Sequence, residues 1–156
     1  MDNLTPELRS KQMSLVRSND TKPEWIVRHL VYNLGYRYRL HRKDLPGKPD
    51  LVFRPRQKVI FVNGCFWHGH RCRLGRMPKS RLDYWQNKIA RNRARDTEHL
   101  RQLRRLDWSA LVLWECQLRD NDTLCSQVCG EFYLPLYVVP HHHNHISRRE
   151  VLNHGD

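Results

Sequence analysis

Residues 50–72 read DLVFRPRQKVIFVNGCFWHGHRC. Two short apolar runs, Leu51–Phe53 and Val59–Val62, flank a polar, proline-containing turn, which is the pattern of two neighbouring strands. The preceding LPGKPD (45–50) is a Pro/Gly turn, so Asp50 stands at the start of the first strand. After Val62 the strand pattern stops. From Asn63 to Pro78 the chain reads as a loop dense in His, Cys, Gly and Arg.

Upstream, YRYRL (36–40) alternates as a strand does. NDTKPEWIVRHLVYNLG (19–35) carries helix punctuation. Asp20 or Thr21 can cap it, Pro23 sits in its first turn and Gly35 ends it. Ile26, Leu30 and Leu34, with Val27 and Val31 beside them, form a stripe that faces a core. Downstream, a long helix is expected from about Ser80 to Arg105. Leu82, Trp85, Ile89, Leu100 and Leu103 supply its apolar face, and Arg and Lys dominate the other. WSALVLW (108–114) reads as a last buried strand. The order α-β-β-β-α-β predicts one mixed sheet with helices packed on it, in the α/β class. Residues 1–20 read as an N-terminal arm, 21–120 as the core, and 121–156 as a weakly patterned C-terminal tail containing the histidine tract PHHHNH.

The 156 residues amount to about one domain. Apolar residues make up 39%, enough for a core. No apolar run approaches the ~20 residues of a membrane span, and the N-terminus lacks the basic-then-apolar pattern of a secretory signal. A cytoplasmic location follows as the expectation. Five cysteines, an odd number, argue for metal binding over a disulfide framework. The net charge of +12 points to a polyanionic partner, nucleic acid before others, against the alternative of a solvated basic surface.

Cys65, His70 and Cys72 fall within eight positions and offer the thiolate and imidazole donors that suit Zn²⁺. Cys116, just past the last strand, can complete a closed Cys₃His site if strands 59–62 and 108–114 are neighbours. His68 competes with His70, so one of the two is free for acid–base work, and spacing alone leaves both assignments open. Asp50 at a strand start resembles a nuclease metal ligand, and Glu24 offers a second carboxylate or, alternatively, a partner for the helix dipole. Phe66 and Trp67 either wedge between bases or cover the zinc site.

Taken together, RSKQMSLVRSNDTKPE (9–24), HRKDLPGKPDLVF (41–53), VIFVNGCFWHGHRC (59–72), YWQNKIARNRARD (84–96) and VLWEC (112–116) resemble the very-short-patch-repair (Vsr) DNA mismatch endonucleases. The resemblance runs from about Arg9 to Arg119. It implies a restriction-endonuclease-like core, a structural Zn²⁺, and Mg²⁺-dependent nicking on the 5′ side of the T in a T:G mismatch left by deaminated 5-methylcytosine. It also implies a functional link to a cytosine-5 methyltransferase and to mismatch-repair proteins, and a monomer acting in the bacterial cytoplasm. Carried over residue by residue, the family's metal ligands fall on Asp50 and the Val62 carbonyl, and its catalytic histidine falls on His68. Its helix glutamate, supporting that histidine and the water held by the metal, falls on Glu24. The zinc ligands fall on Cys65, His70, Cys72 and Cys116, and the base-step wedge on Phe66 and Trp67 from one groove with Met13 from the other.

Asn63, Arg71, Arg73 and Arg76 are candidate phosphate contacts. Asn63 departs from the family's usual histidine, and an amide cannot shuttle a proton near pH 7. Val62 stands where a threonine can occur, which is harmless if only its carbonyl is used. The strand VIFVNG also lacks the acidic-x-Lys pair of the general nuclease motif, so the enzyme reading leans on His68 and the Val62 carbonyl. The rival readings are a nuclease of the same fold with another DNA target, and a non-catalytic zinc module that binds distorted DNA.

Overall fold

The structure, a computed structural model, describes Leu8 and residues 19–132. Met13 and the histidine tract lie outside the described residues. Helix α1 spans Lys22–Asn33. Thr21 caps it, and Glu24 completes a reciprocal capping box: the Glu24 N–H donates to Thr21 Oγ1, and the Thr21 N–H donates to Glu24 Oε1. Strand β1 is only Arg39–Leu40, followed by β2 (Leu51–Phe53) and β3 (Lys58–Asn63). Helix α2 (Leu82–Arg105) leads to β4 (Ser109–Trp114), and α3 (Asn121–Phe132) follows.

The sheet order is β1-β2-β3-β4, with β1/β2 and β2/β3 antiparallel and β3/β4 parallel. The parallel pair is possible because α2 supplies the crossover. Side chains alternate across the sheet with period two. Leu51, Phe53, Ile60 and Leu113 point to the side of α1 and α3, where they meet Val27, Val31, Leu124, Val128 and Phe132. Val52 and Val59 point to the opposite side and meet Leu103 of α2. With both faces covered, β2 is buried at every position.

Two expectations need correction. The strand expected over 36–40 shrinks to Arg39–Leu40, because Tyr36 turns inward and packs its ring on Phe53 and Phe132. The stretch after 120, read as weakly patterned tail, contains α3. Leu124, Val128 and Phe132, at i, i+4 and i+8, are buried in the main core, so the core extends through Phe132. Among the described residues no helix is long and apolar enough to cross a membrane.

Candidate active site

The parallel pairing of β3 with β4 aligns Asn63 with Trp114, so both strands end at the same edge. Cys65 leaves that edge from β3 and Cys116 from β4. The loop between them folds tightly: His70 N–H donates to the Cys65 carbonyl at 2.9 Å, and Cys65 N–H donates to Glu115 Oε2 at 3.3 Å. Gly75 is required here, since a Cβ on it would come within 1.9 Å of the His70 carbonyl oxygen.

This folding gathers Cys65, His70, Cys72 and Cys116, whose ligand atoms all lie within 4.8 Å of one another. His70 Nδ1 is 3.4 Å from Cys116 Sγ. A tetrahedral zinc with ordinary Zn–S and Zn–N lengths would set such a pair ~3.6 Å apart, so the donors fit the ion in type, number and spacing. The protonation of the three cysteines is uneven. Burial pushes the Cys65 thiol up to about 12 and raises Cys116, while the hydrogen bond from His70 holds Cys72 at about 6. Without an ion Cys65 and Cys116 therefore stay protonated near neutral pH, and a cation at the centre would take all three cysteines as thiolates and offset their mutual repulsion. The His70 ring also stacks on Trp114 at 4.3 Å and 20°, which fixes its plane.

Beside this cluster opens a cleft of ≈ 1490 Å³, lined by Glu24, Asp50, Val62, His68 and Asp96 among others. Asp50 Oδ2 accepts a 2.7 Å hydrogen bond from the Val62 N–H, which ties the carboxylate to β3. Burial pushes Asp50 up to about 6; the Val62 N–H opposes this, and the charge of Glu24 adds to it. A buried carboxylate held this way in an open cleft, with the charge of Glu24 nearby, suits a hard divalent ion.

His68 Nδ1 lies 2.5 Å from Asp96 Oδ2, across the cleft on α2. The Glu24 carboxylate, in turn, is engaged by Thr21, by the Asp20 N–H at 3.1 Å and by Arg28 at 2.8 Å. The partner that fixes the His68 ring is therefore Asp96, a residue the sequence reading did not single out. Arg28 and His41 were likewise missed, and Asp20 was read only as a candidate helix cap. Arg28 is 4% exposed, and its guanidinium reaches Asp20, Glu24 and His41.

Phe66 and Trp67 are half-buried. They pack edge to face on each other and on buried Trp85, with centroids 5.0–6.1 Å apart, while Lys88 Nζ lies over Trp67 at 5.7 Å. Asn92 donates to the Trp67 carbonyl at 2.9 Å and pins the loop to α2. Asn63, Trp67 and Arg71 also line the cleft. Arg73 and Arg76 are exposed in and just after the short helical turn that follows Cys72. Exposed Arg91, Arg93 and Arg95 on α2 extend the basic surface.

The family model for the DNA mismatch endonuclease Vsr matches residues 1–74. A type II nicking enzyme of Xanthomonas oryzae pv. oryzae is 56% identical over 123 residues, covering 79% of this chain and 90% of that protein. A type II nicking enzyme of Neisseria meningitidis serogroup A is 40% identical over 126 residues, covering 81% and 89%. The DNA mismatch endonuclease Vsr of Escherichia coli is 36% identical over 132 residues, covering 79% and 85%. With these relatives matched over most of the chain, and a cleft that combines carboxylates, a paired histidine and a basic rim, this chain belongs to the Vsr family of DNA endonucleases.

Proposed function

We propose that this endonuclease nicks one strand of duplex DNA on the 5′ side of the T in a T:G mismatch, with Mg²⁺ held by Asp50 and the Val62 carbonyl and Zn²⁺ held by Cys65, His70, Cys72 and Cys116. The observation that carries this reading is the sharing of one cleft by Asp50, the His68–Asp96 pair and Trp67. The four-stranded mixed sheet then serves as a restriction-endonuclease-like core. When bound, Mg²⁺ supplies activation of water and neutralisation of charge on the phosphate.

The side chains do the rest. Asp96 accepts the Nδ1–H of His68, which leaves Nε2 as the nitrogen that takes or gives the proton. Glu24 adds negative charge near Asp50 and is itself balanced by Arg28. Asn63 and the exposed Arg71, Arg73 and Arg76 hold phosphates and carry no sequence information. Phe66 and Trp67 wedge a base step open, with Met13 entering from the other groove. A T:G wobble unstacks more cheaply than a Watson–Crick pair, and this difference becomes selectivity. A link to a cytosine-5 methyltransferase and to mismatch-repair proteins, and action as a monomer in the bacterial cytoplasm, belong to the same reading. The names of the relatives, which include nicking enzymes, support cutting of one strand.

Labelled T:G and T:A duplexes, incubated with and without Mg²⁺, test it. Nicking confined to T:G with Mg²⁺ is expected; equal nicking of both would turn the assignment to another DNA target. Trp67→Ala should lose discrimination between T:G and T:A binding while non-specific affinity and its salt slope stay put, since those come from phosphate contacts. A loss of both affinities by one factor would make Trp67 a packing residue only.

His68→Ala should slow the chemical step by about 10²–10⁴-fold, the range for a general acid or base. Asp96→Asn should slow it too, because an amide N–H facing Nδ1 selects the wrong tautomer. Neither should release zinc. Zinc lost from His68→Ala and kept by His70→Ala would exchange the two histidine roles.

A further inference from the structure

Asp20, Glu24 and His41 bring their ligand atoms within 4.8 Å of one another, an arrangement that resembles a second metal site. It is already filled by a cation of the chain itself. Arg28, buried on α1, places Nη1 2.7 Å from Asp20 Oδ1, and Nη2 2.8 Å from Glu24 Oε2 and 2.9 Å from His41 Nε2. Guanidinium nitrogens only donate. The short contact to His41 therefore requires Nε2 to accept, and the ring proton must sit on Nδ1. That nitrogen faces Asp50 Oδ1 at 3.8 Å. The opposite oxygen, Oδ2, is already gripped by the Val62 N–H.

The backbone supports the same placement. His41 has φ +46, the left-handed region that a residue with a side chain seldom occupies, and its N–H reaches the Asp50 carbonyl at 3.4 Å. Strain of this kind persists only where the surroundings dictate it. Here they bring the imidazole between Arg28 and Asp50. At 3.8 Å the Nδ1–H does not make a hydrogen bond in the resting geometry. Oδ2 carries the Val62 bond, so Oδ1, with the imidazole beside it, is the oxygen open to a cation.

We propose that His41, held by Arg28 in the tautomer with its proton on Nδ1, is a positioning residue for Asp50 and sets how tightly the cleft binds its divalent cation. The proposal rests on the reading of Asp50 as a cation ligand. Residues that orient a metal ligand typically change metal affinity by about 10–100-fold when altered.

Two substitutions separate the two ring nitrogens. His41→Gln keeps an acceptor near the Nε2 position for Arg28 and loses the donor toward Asp50. His41→Asn keeps a donor near the Nδ1 position. The Mg²⁺ concentration giving half-maximal nicking should rise about tenfold or more in His41→Gln, with the rate at saturating Mg²⁺ largely kept, and should stay near wild type in His41→Asn. Mn²⁺ titrated into the zinc-loaded, DNA-free protein by calorimetry should show the same ordering. Melting temperature and zinc content verify folding.

Nitrogen-15 NMR of the wild-type histidine rings reads the tautomer without any substitution. A His41 proton on Nε2 would overturn the proposal, as would wild-type cation affinity in folded His41→Gln, or equal losses in both variants. Asp50→Asn separates the two levels of the argument. If it still nicks, the cation reading itself fails. If it is inactive and does not take up Mn²⁺ while His41→Gln matches wild type, only the role of His41 fails.

Discussion

Asp50→Asn should yield a protein that still binds DNA, does not nick it, and melts at a higher temperature than wild type in metal-free buffer at neutral pH. Burial raises Asp50 from 3.8 to about 6 in the folded chain, against the favourable bond from the Val62 N–H. The folded state thus binds this proton more tightly than the unfolded state does. The resulting stability is fully present below pH ~4 and is lost as pH rises through about 6. At neutral pH the ionised, buried carboxylate costs up to about 3 kcal/mol. Asparagine keeps an oxygen for the Val62 N–H and removes the charge. Thermal melts across this range should show wild type losing stability between pH ~4 and ~7 while the variant does not. Added Mg²⁺ should restore wild type and leave the variant unchanged. Normal nicking by Asp50→Asn would place the cation elsewhere, and a lower melting temperature at neutral pH would refute the cost of burying the ionised carboxylate.

Removing Cys116, the proposed zinc ligand at the end of the far strand, should have an effect of the same order as the whole fold. Closed sites in small zinc domains contribute ~10–16 kcal/mol in apparent terms, against a typical folding stability of about 5–15 kcal/mol. The loop from Gly64 to Pro78 contributes few buried side chains of its own: Cys65 is the one fully buried residue in it. Cys116→Ala should therefore lose zinc and melt far below wild type, and chelation should do the same to the unmodified chain. Cys125→Ala is the control, since Cys125 lies on α3 and outside the cluster. Elemental analysis of protein lacking the 140–145 histidine tract should return about one zinc per chain. A metal-free protein that stays folded would refute the structural role.

Much of this was legible because it is periodic or local. The strands around the 54–58 turn follow from their own apolar runs, and the cap of α1 from Thr21, Pro23 and Glu24. The Cys/His cluster showed in the spacing of three of its members. What escaped depends on pairing across the chain. Asp96 is one acid on an arginine-rich helix, and nothing in its neighbourhood announces a histidine 28 positions earlier. Arg28 and His41 look like surface charges in RHLV and LHRK until α1 and the β1–β2 turn are packed together. Helix α3 escaped for another reason: Leu124, Val128 and Phe132 are correctly spaced, but Cys and Gly130 dilute the signal over only three turns.

The placement of the cluster donors also bears on the order of events during folding. Cys65, His70 and Cys72 sit close enough in sequence to seize an ion while the chain is still open, because closing so small a ring costs little entropy. Cys116 must travel in from beyond the whole of α2. It arrives two residues past Trp114, just as Cys65 stands two residues past Asn63, and Asn63 and Trp114 are partners in the sheet. An ion already seated on the local trio would capture Cys116 in one alignment only. A slip of a single residue would turn the core-facing side chains of β4 to the wrong face. A metal ion at this cluster would then act as a registration pin, selecting the correct pairing of two strands that the chain cannot join by a short turn.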